Sequence, residues 1–185
     1  AWVPERPAEG GRMLLAIPMF HIYGLMAGML VSVTRAATML LLPDPRDLDR
    51  LLKVIDREHP TLFPAVPTLY VALLNHPKLS KVNMQGIEAC LSGAAPLPLE
   101  VRRRWEKLTG GRLVEGYGLT EASTVVTGNP LTKGGLVKEG VGIPFPDTDV
   151  RIVDLETGTT DVPIGETGEL IVRGPQVMKG YWNAP

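Results

Sequence analysis

Two adjacent side chains, Thr120 and Glu121, have the chemistry to contact a phosphate group and a metal ion. The hydroxyl of Thr120 can hydrogen-bond a phosphate oxygen, and the carboxylate of Glu121 is a hard oxygen ligand suited to Mg²⁺. Shortly before them, Tyr117 offers a flat aromatic face for a nucleobase. The same pattern fits an ordinary turn between a strand and a helix, with Thr120 as the helix N-cap. Both interpretations stand at this point.

A run of small residues, 92–96, and a lone histidine, His21, also follow apolar stretches that are typical of buried strands. Small residues let a ligand approach the backbone closely. In open α/β sheets, ligands bind beyond the carboxyl ends of the strands. A histidine at such a position is either a hydrogen-bonded core residue or part of a site, and the sequence supports both interpretations equally.

The elements that would position these residues alternate between short apolar runs and helical stretches. The pattern predicts strands at 13–17, 38–42, 61–65, 87–91 and 112–115, with helices at 23–34, 47–58, 69–75 and 99–108. This alternation is typical of an α/β fold with a mainly parallel sheet flanked by helices. After about residue 146, strands at 150–153 and 169–173 with turn signals between them predict an antiparallel β portion. We therefore divide the chain into an α/β portion, 1–145, and a β-rich portion, 146–185, both incomplete.

Composition narrows the function classes. The net charge of −1 argues against a nucleic-acid partner, because phosphate binding over a long footprint needs a basic excess. The single cysteine, Cys90, allows no intrachain disulfide and no cysteine-based zinc site, and it lies in an apolar run that predicts burial. The apolar stretch 13–42 is interrupted by Pro18 and Arg35, which favours buried strands and a helix over a membrane span.

Taken together, the motifs resemble those of the adenylate-forming superfamily of acyl-CoA synthetases, luciferases and peptide-synthetase adenylation domains. They occur in the order of that family: Phe20-His21-Ile22-Tyr23-Gly24, Ser92-Gly93-Ala94-Ala95-Pro96-Leu97, Tyr117-Gly118-Leu119-Thr120-Glu121, and the segment 165–183 with Gly180-Tyr181-Trp182. Within the superfamily, the chain looks most similar to bacterial long-chain fatty-acid–CoA ligases.

The resemblance implies a reaction in two steps, in which a carboxylate attacks the α-phosphate of ATP and coenzyme A then takes the acyl group from acyl-AMP. It implies that Thr120, Glu121 and His21 take part in catalysis, with Mg²⁺ held by Glu121. The implied nucleotide pocket comprises Gly93, Ala94, Ala95, Pro96, Glu115, Gly116, Tyr117, Gly118, Leu119 and Thr120. The implied acyl-binding residues are His21, Tyr23, Gly24, Val66, Pro67 and Thr68.

The resemblance also implies that parts of the site lie outside this chain: a Ser/Thr/Gly-rich phosphate loop, a ribose-binding aspartate and a C-terminal domain with a catalytic lysine. We therefore expect a central fragment, inactive by itself, of a cytoplasmic enzyme that uses fatty acid, ATP and CoA and associates peripherally with membranes. The alternatives are a noncatalytic nucleotide- or acyl-binding module and a ligase for another carboxylic acid. Acyl chain length and oligomeric state are not encoded in any readable pattern.

Overall fold

The predicted α/β architecture is present in a computed structural model that describes residues 11–131 and 140–183. Four strands form two parallel pairs: β1 (Arg12–Leu15) with β2 (Thr38–Leu41), and β3 (Ala89–Ser92) with β4 (Arg112–Tyr117). The segment 62–65 lies between the pairs, since Leu62 forms parallel bridges to Met13 and Ala89. The carboxyl ends of β1, β3 and β4 therefore meet at one edge.

Helices connect these strands. The segment after β1 is a π-helix, Gly24–Leu30, that continues into α1 (Val31–Arg35), and the other α-helices are α2 (Leu48–Glu58), α3 (Pro67–Leu74) and α4 (Leu99–Thr109). The boundaries follow local chemistry. Asp47 caps α2 by accepting a hydrogen bond from the Arg50 N–H at 2.9 Å, and α4 ends at Gly110, whose φ of 72° favours glycine.

Antiparallel strands occupy the second half of the chain. Two short strands, β5 (Thr127–Gly128) and β6 (Ile143–Pro144), extend the sheet from β4, while β7 (Asp149–Val153) pairs with β8 (Glu169–Arg173). The predicted antiparallel character of this region is confirmed. The division of the chain at residue 146 stays a prediction.

An aromatic cluster fixes the centre of the core. Tyr70 and Trp105 have ring centroids 4.8 Å apart, and Phe63 lies 5.6 Å from Tyr70 in an edge-to-face arrangement. The hydroxyl of Tyr70 donates to the Phe63 carbonyl at 2.7 Å, and the indole N–H of Trp105 donates to the Cys90 sulfur at 3.3 Å. Cys90 is buried as predicted. The cluster ties α3 and α4 to β3.

Three predictions of the elements need correction. The strand at 38–42 was expected to be buried, but Met39 and Leu41 are exposed, because β2 pairs with β1 on one side and no other described strand covers its second edge. The strand at 61–65 is reduced to bridges, because Pro64 has no N–H to continue a ladder. The helix at 23–34 is π-helical in its first half. None of the helices in the described ranges has the length and hydrophobicity to cross a bilayer.

Candidate active site

Three of the segments singled out in the sequence converge on one cleft of about 160 Å³ at the carboxyl ends of β1, β3 and β4. Parallel strands end at the same edge of a sheet, and this geometry brings the segments together. The cleft is lined by residues 21–23, 91–94, 116–120, 124 and 125. It therefore gathers His21, Tyr23, Gly93, Ala94 and the run 116–120 from the residues predicted to form a site.

Hydrogen bonds over long sequence separations hold the walls of the cleft. The buried hydroxyl of Tyr23 donates to the Leu91 carbonyl at 2.6 Å, and the Thr124 hydroxyl donates to the Ile22 carbonyl at 2.8 Å. Desolvation by burial raises the pKa of the Tyr23 phenol far above its ordinary value, so the hydroxyl stays protonated and keeps donating. Tyr23 thus ties the His21 segment to β3.

His21 is exposed at the mouth of the cleft. Its Nδ1 accepts a hydrogen bond from the backbone N–H of Tyr23 at 3.1 Å. An accepting Nδ1 carries no proton, so the neutral ring has its N–H on Nε2. The interpretation of His21 as a buried, hydrogen-bonded core residue is wrong, because the residue is exposed. Its Nε2–H is a donor available to a ligand.

The loop after β4 turns back tightly on itself. The Thr124 N–H donates to the Leu119 carbonyl at 3.1 Å, and the Val126 N–H donates to the Tyr117 carbonyl at 2.9 Å. A Cβ at Gly118 would lie 1.2 Å from the Thr124 oxygen, so this position requires glycine because of the protein's own backbone. The close approach of a ligand is not needed to explain it.

Thr120 opens the 3₁₀ turn Thr120–Ala122 on the exposed wall of the cleft. The residue in the N-cap position is Leu119, and no side chain caps the turn. The interpretation of Thr120 as an ordinary helix N-cap is therefore wrong. Thr120 and Tyr117 both line the cleft, and Tyr117 is partly exposed there.

Glu121 lies just beyond the cleft lining and is half-buried. Its Oε1 accepts a hydrogen bond from the Tyr181 hydroxyl at 2.6 Å, and this bond is the main cause that holds the pKa of the Glu121 carboxyl below its ordinary value. The group is therefore ionised at neutral pH. Glu121 supplies a single carboxylate and is adjacent in sequence to Thr120, which supplies a hydroxyl. These groups fit Mg²⁺ that is bound through a nucleotide, because Mg²⁺ commonly takes one or two carboxylates together with phosphate oxygens.

Other predicted residues support the cleft or lie away from it. Glu115 accepts a hydrogen bond from the Leu97 N–H at 3.3 Å and so braces the loop that contains Ala95 and Pro96, which do not line the cleft. Gly24 is buried where the π-helix begins, and a Cβ there would lie 2.5 Å from the Pro18 oxygen.

The residues Val66, Pro67 and Thr68 are not brought into the cleft. Val66 and Thr68 line a different hollow, together with Arg46 and Leu48, and Pro67 is the buried first residue of α3. Their predicted contact with an acyl group gains no support from this geometry.

The predicted nucleotide- and acyl-binding sets did not include five cleft residues, Ile22, Leu91, Ser92, Thr124 and Val125, although Ser92 belongs to the run 92–96 singled out in the sequence. Ser92 is fully buried on the cleft wall, and its Oγ has no hydrogen-bond partner within the described ranges. Leu91, Thr124 and Val125 also line the cleft. The small-residue run drew attention to the region of Ser92, but no local pattern marks residues that enter the site through long-range packing.

A second, mainly apolar hollow of about 270 Å³ adjoins the cleft, and Leu91 and Val125 line both. Its other lining residues are mostly apolar and include residues of β1, the π-helix and the segment 62–64: Met13, Met26, Ala27, Val31, Leu62, Phe63, Pro64, Ala89, Ser123, Gly128, Asn129, Leu131 and Phe145. No sequence pattern marks this hollow, because apolar strand residues look the same whether they face a helix or a cavity. A cleft that presents His21, Tyr117 and Thr120 and shares two lining residues with an apolar hollow suits an amphipathic ligand.

Comparison with known proteins gives consistent matches. The model of the AMP-binding enzyme family matches residues 1–182. The chain is 48% identical over 186 residues to a long-chain-fatty-acid–CoA ligase of Bacillus subtilis (strain 168), a match that covers 100% of this chain and 32% of that protein.

Two solved structures extend this likeness. The crystal structure of ATP-bound MatB from Rhodopseudomonas palustris has a TM-score of 0.79 and 33% identity, over 95% of this chain and 34% of that one. That of an anthranilate CoA ligase in complex with anthranoyl-AMP has a TM-score of 0.86 and 26% identity, over 95% of this chain and 33% of that one. The chain spans about a third of the length of the curated relatives it matches. It belongs to the AMP-binding enzyme family.

Proposed function

We propose that the full-length protein containing this chain is an ATP-dependent long-chain fatty-acid–CoA ligase. The fatty-acid carboxylate attacks the α-phosphorus of ATP, which forms acyl-AMP and releases pyrophosphate. The thiol of CoA then attacks the acyl carbonyl, loses its proton, and displaces AMP. The observation that carries the proposal is the cleft lined by the polar side chains of His21, Tyr117 and Thr120, which shares Leu91 and Val125 with an apolar hollow. Such a site matches a substrate with a polar head and a long apolar chain.

The nucleotide is proposed to bind in the cleft. Tyr117 would offer its ring to adenine, Gly93 and Ala94 would line the same pocket, and Thr120 would reach a phosphate oxygen with its hydroxyl. Mg²⁺ is proposed to bind at Glu121, where it would neutralise charge on the phosphate oxygens. Phosphoryl-centre chemistry depends largely on positioning and charge neutralisation, and these side chains supply both.

The carboxylate end of the fatty acid is proposed to lie near His21, whose Nε2–H can donate to a carboxylate oxygen. The acyl chain would then extend past Leu91 and Val125 into the apolar hollow. Burial of a long chain there is favourable by about 0.8 kcal/mol per CH₂ group removed from water. The hollow gives a physical reason to favour long chains over short ones.

A ligase for another carboxylic acid is the second candidate, favoured by the structural likeness to the anthranilate CoA ligase. An aromatic acid would occupy only the end of the apolar hollow nearest the cleft. A noncatalytic binding module of the same fold is less well supported, since Thr120 and Glu121 are both present and the Glu121 carboxylate is held in its ionised form.

The location of the protein also belongs to the proposal. We propose a cytoplasmic enzyme, because ATP and CoA are cytoplasmic substrates, and peripheral contact with membranes, because long-chain fatty acids partition into lipid. Flotation of the full-length protein with anionic vesicles that contain palmitate would support membrane contact. Recovery of all the protein in the lipid-free fraction would argue against it.

The substrate test uses the full-length protein with ATP, Mg²⁺ and CoA, and it follows the loss of free thiol as the thioester forms. Palmitate, octanoate and benzoate are compared at equal concentrations. We expect the highest kcat/KM with palmitate. Equal or higher kcat/KM with benzoate would favour the second candidate, and no thiol loss with any of the acids would favour the binding module.

A further inference from the structure

The chain after β8 returns to Glu121, 60 residues away in sequence. The segment 174–182 makes two contacts with this one residue. The Met178 N–H donates to the main-chain carbonyl of Glu121 at 2.7 Å, and the Tyr181 hydroxyl donates to Oε1 of the side chain at 2.6 Å. Both the backbone and the carboxylate of Glu121 are therefore held by the same segment.

Further hydrogen bonds fix the segment 174–182 to the rest of the fold. The Ser123 hydroxyl donates to the Gln176 carbonyl at 3.0 Å, and the Gln176 amide donates to the Thr148 hydroxyl at 2.8 Å. These bonds lie several residues before Tyr181, so they anchor the segment independently of the contact with Oε1. Tyr181 thus reaches Glu121 from a fixed base.

Packing does not account for the position of Tyr181. Its side chain is 57% exposed, and its neighbour Trp182 is 92% exposed. A ring with so much exposed surface gains little from burial, whereas an O–H donated to a carboxylate at this distance is a strong, charge-assisted hydrogen bond. The specific feature of Tyr181 is its hydroxyl.

We propose that Tyr181 is a positioning residue for the Glu121 carboxylate. Its hydroxyl fixes the side-chain conformation through Oε1, and a divalent cation would bind the remaining lone pairs of the carboxylate. This inference rests on the proposed function, in which Glu121 binds Mg²⁺. Residues that hold a metal ligand in place commonly contribute a factor of about 10 to 100 to metal affinity, because the ligand need not be ordered when the metal binds.

The test measures how far Mg²⁺ strengthens the binding of a nonhydrolysable ATP analogue to the full-length protein. Calorimetric titrations with Mg²⁺ and with EDTA give two dissociation constants, and their ratio is the Mg²⁺ enhancement. In Tyr181→Phe we expect this enhancement to fall about tenfold while the metal-free affinity stays the same. The metal-free value also reports whether the variant is folded. Higher Mg²⁺ concentrations should restore the adenylation rate of the variant.

Matched variants separate the hydroxyl from its surroundings. Trp182→Phe changes the neighbouring exposed ring, and Thr148→Val removes one hydrogen bond of the segment 174–182, which its backbone bonds to Ser123 and Glu121 still hold in place. Both are expected to keep the wild-type Mg²⁺ enhancement. An unchanged enhancement in Tyr181→Phe, or an equal loss in Thr148→Val, would overturn the assignment of Tyr181.

A Glu121→Gln variant in the same experiment distinguishes the positioning role of Tyr181 from the metal-binding role of Glu121. If it loses the enhancement and Tyr181→Phe keeps it, the positioning role fails and the metal role of Glu121 stands. If Glu121→Gln keeps the wild-type enhancement, the metal role in the proposed function fails, and the inference about Tyr181 fails with it.

Discussion

The carbonyl of Leu91 is the point at which the cleft is tied to the core. The Tyr23 hydroxyl donates to it at 2.6 Å from the side of the cleft, and the Tyr70 hydroxyl shares its proton between this carbonyl at 3.2 Å and the nearer Phe63 carbonyl at 2.7 Å. Burial raises the pKa of both phenols, so both remain donors at neutral pH. The position of the His21 segment therefore depends on residues of the hydrophobic core.

Replacement of Glu121 tests the charge that the site provides. Glu121→Gln keeps the size of the side chain and removes its negative charge, so we expect the rate of fatty-acid-dependent ATP–pyrophosphate exchange to fall by about a hundredfold or more. Glu100→Gln, an exposed glutamate in the first turn of α4, is the matched control and should keep the wild-type rate. Equal rates for the two variants would remove Glu121 from the adenylation step.

At the scale of single residues, the sequence identifies the members of a motif. It identifies less well the residues that come together only when the chain folds. His21, Gly93, Tyr117 and Thr120 were predicted from their motifs, and the cleft contains all four. Thr124 was missed, because it contacts Ile22 across 102 residues and no local pattern encodes that distance. Val66 and Thr68 were assigned from the resemblance alone, and they lie in another hollow.

The loop between β4 and β5 is the element that shapes the cleft. It leaves β4 at Tyr117, forms the 3₁₀ turn Thr120–Ala122 and re-enters the sheet at Thr127. The Ser123 backbone adopts a φ of 47° at the end of the turn. This loop presents Thr120 to the cleft and Glu121 to the segment 174–182, so its conformation decides whether both side chains can meet one ligand.

We expect Gly118→Ala to be strongly destabilising, because its Cβ would overlap the Thr124 oxygen at 1.2 Å. The cost should reach about 3 kcal/mol or more, and the loop would have to shift. Gly86→Ala is the control: its φ of 97° is also unfavourable, but no atom lies within 4 Å of the new Cβ, so its cost should stay near 1–2 kcal/mol. Thermal unfolding of the full-length variants compares the two. Equal shifts in Tm would contradict the overlap argument.

Elements with strong local signals were predicted well. The amphipathic α2 with its Asp47 cap, and α4 with its terminal glycine, both formed within one residue of the predicted bounds. The π-helix was not foreseen, because apolar periodicity over a short helix does not separate π from α hydrogen bonding. Exposure of β2 was not foreseen either, since burial of a strand depends on which neighbours the topology supplies.

The described part of the molecule combines the cleft and an apolar hollow that share Leu91 and Val125, and this adjacency could not be predicted from the sequence. It arises because β1, the segment 62–64 and the π-helix leave space next to Leu91 and Val125. Apolar residues at those positions signal only that the region is buried. The proposed preference for long acyl chains therefore depends on the tertiary structure.

Filling the hollow should change the preference for chain length. Ala27 lines it from the π-helix, so Ala27→Phe should lower kcat/KM for palmitate relative to octanoate by about tenfold. Val33→Phe in α1 adds a similar ring at an exposed position outside the hollow and serves as the control. Thioester formation with the two acids measures the ratio. A ratio that Ala27→Phe leaves unchanged would place the acyl chain elsewhere.

Trapping of the activated acyl group tests the central claim most directly. The full-length protein is incubated with ATP, Mg²⁺, palmitate and hydroxylamine in the absence of CoA, so that acyl-AMP is converted to palmitoyl hydroxamate. We predict hydroxamate that depends on both ATP and palmitate, accompanied by an equal amount of AMP. Release of ADP in place of AMP, or no hydroxamate above a control without protein, would contradict adenylation at this site.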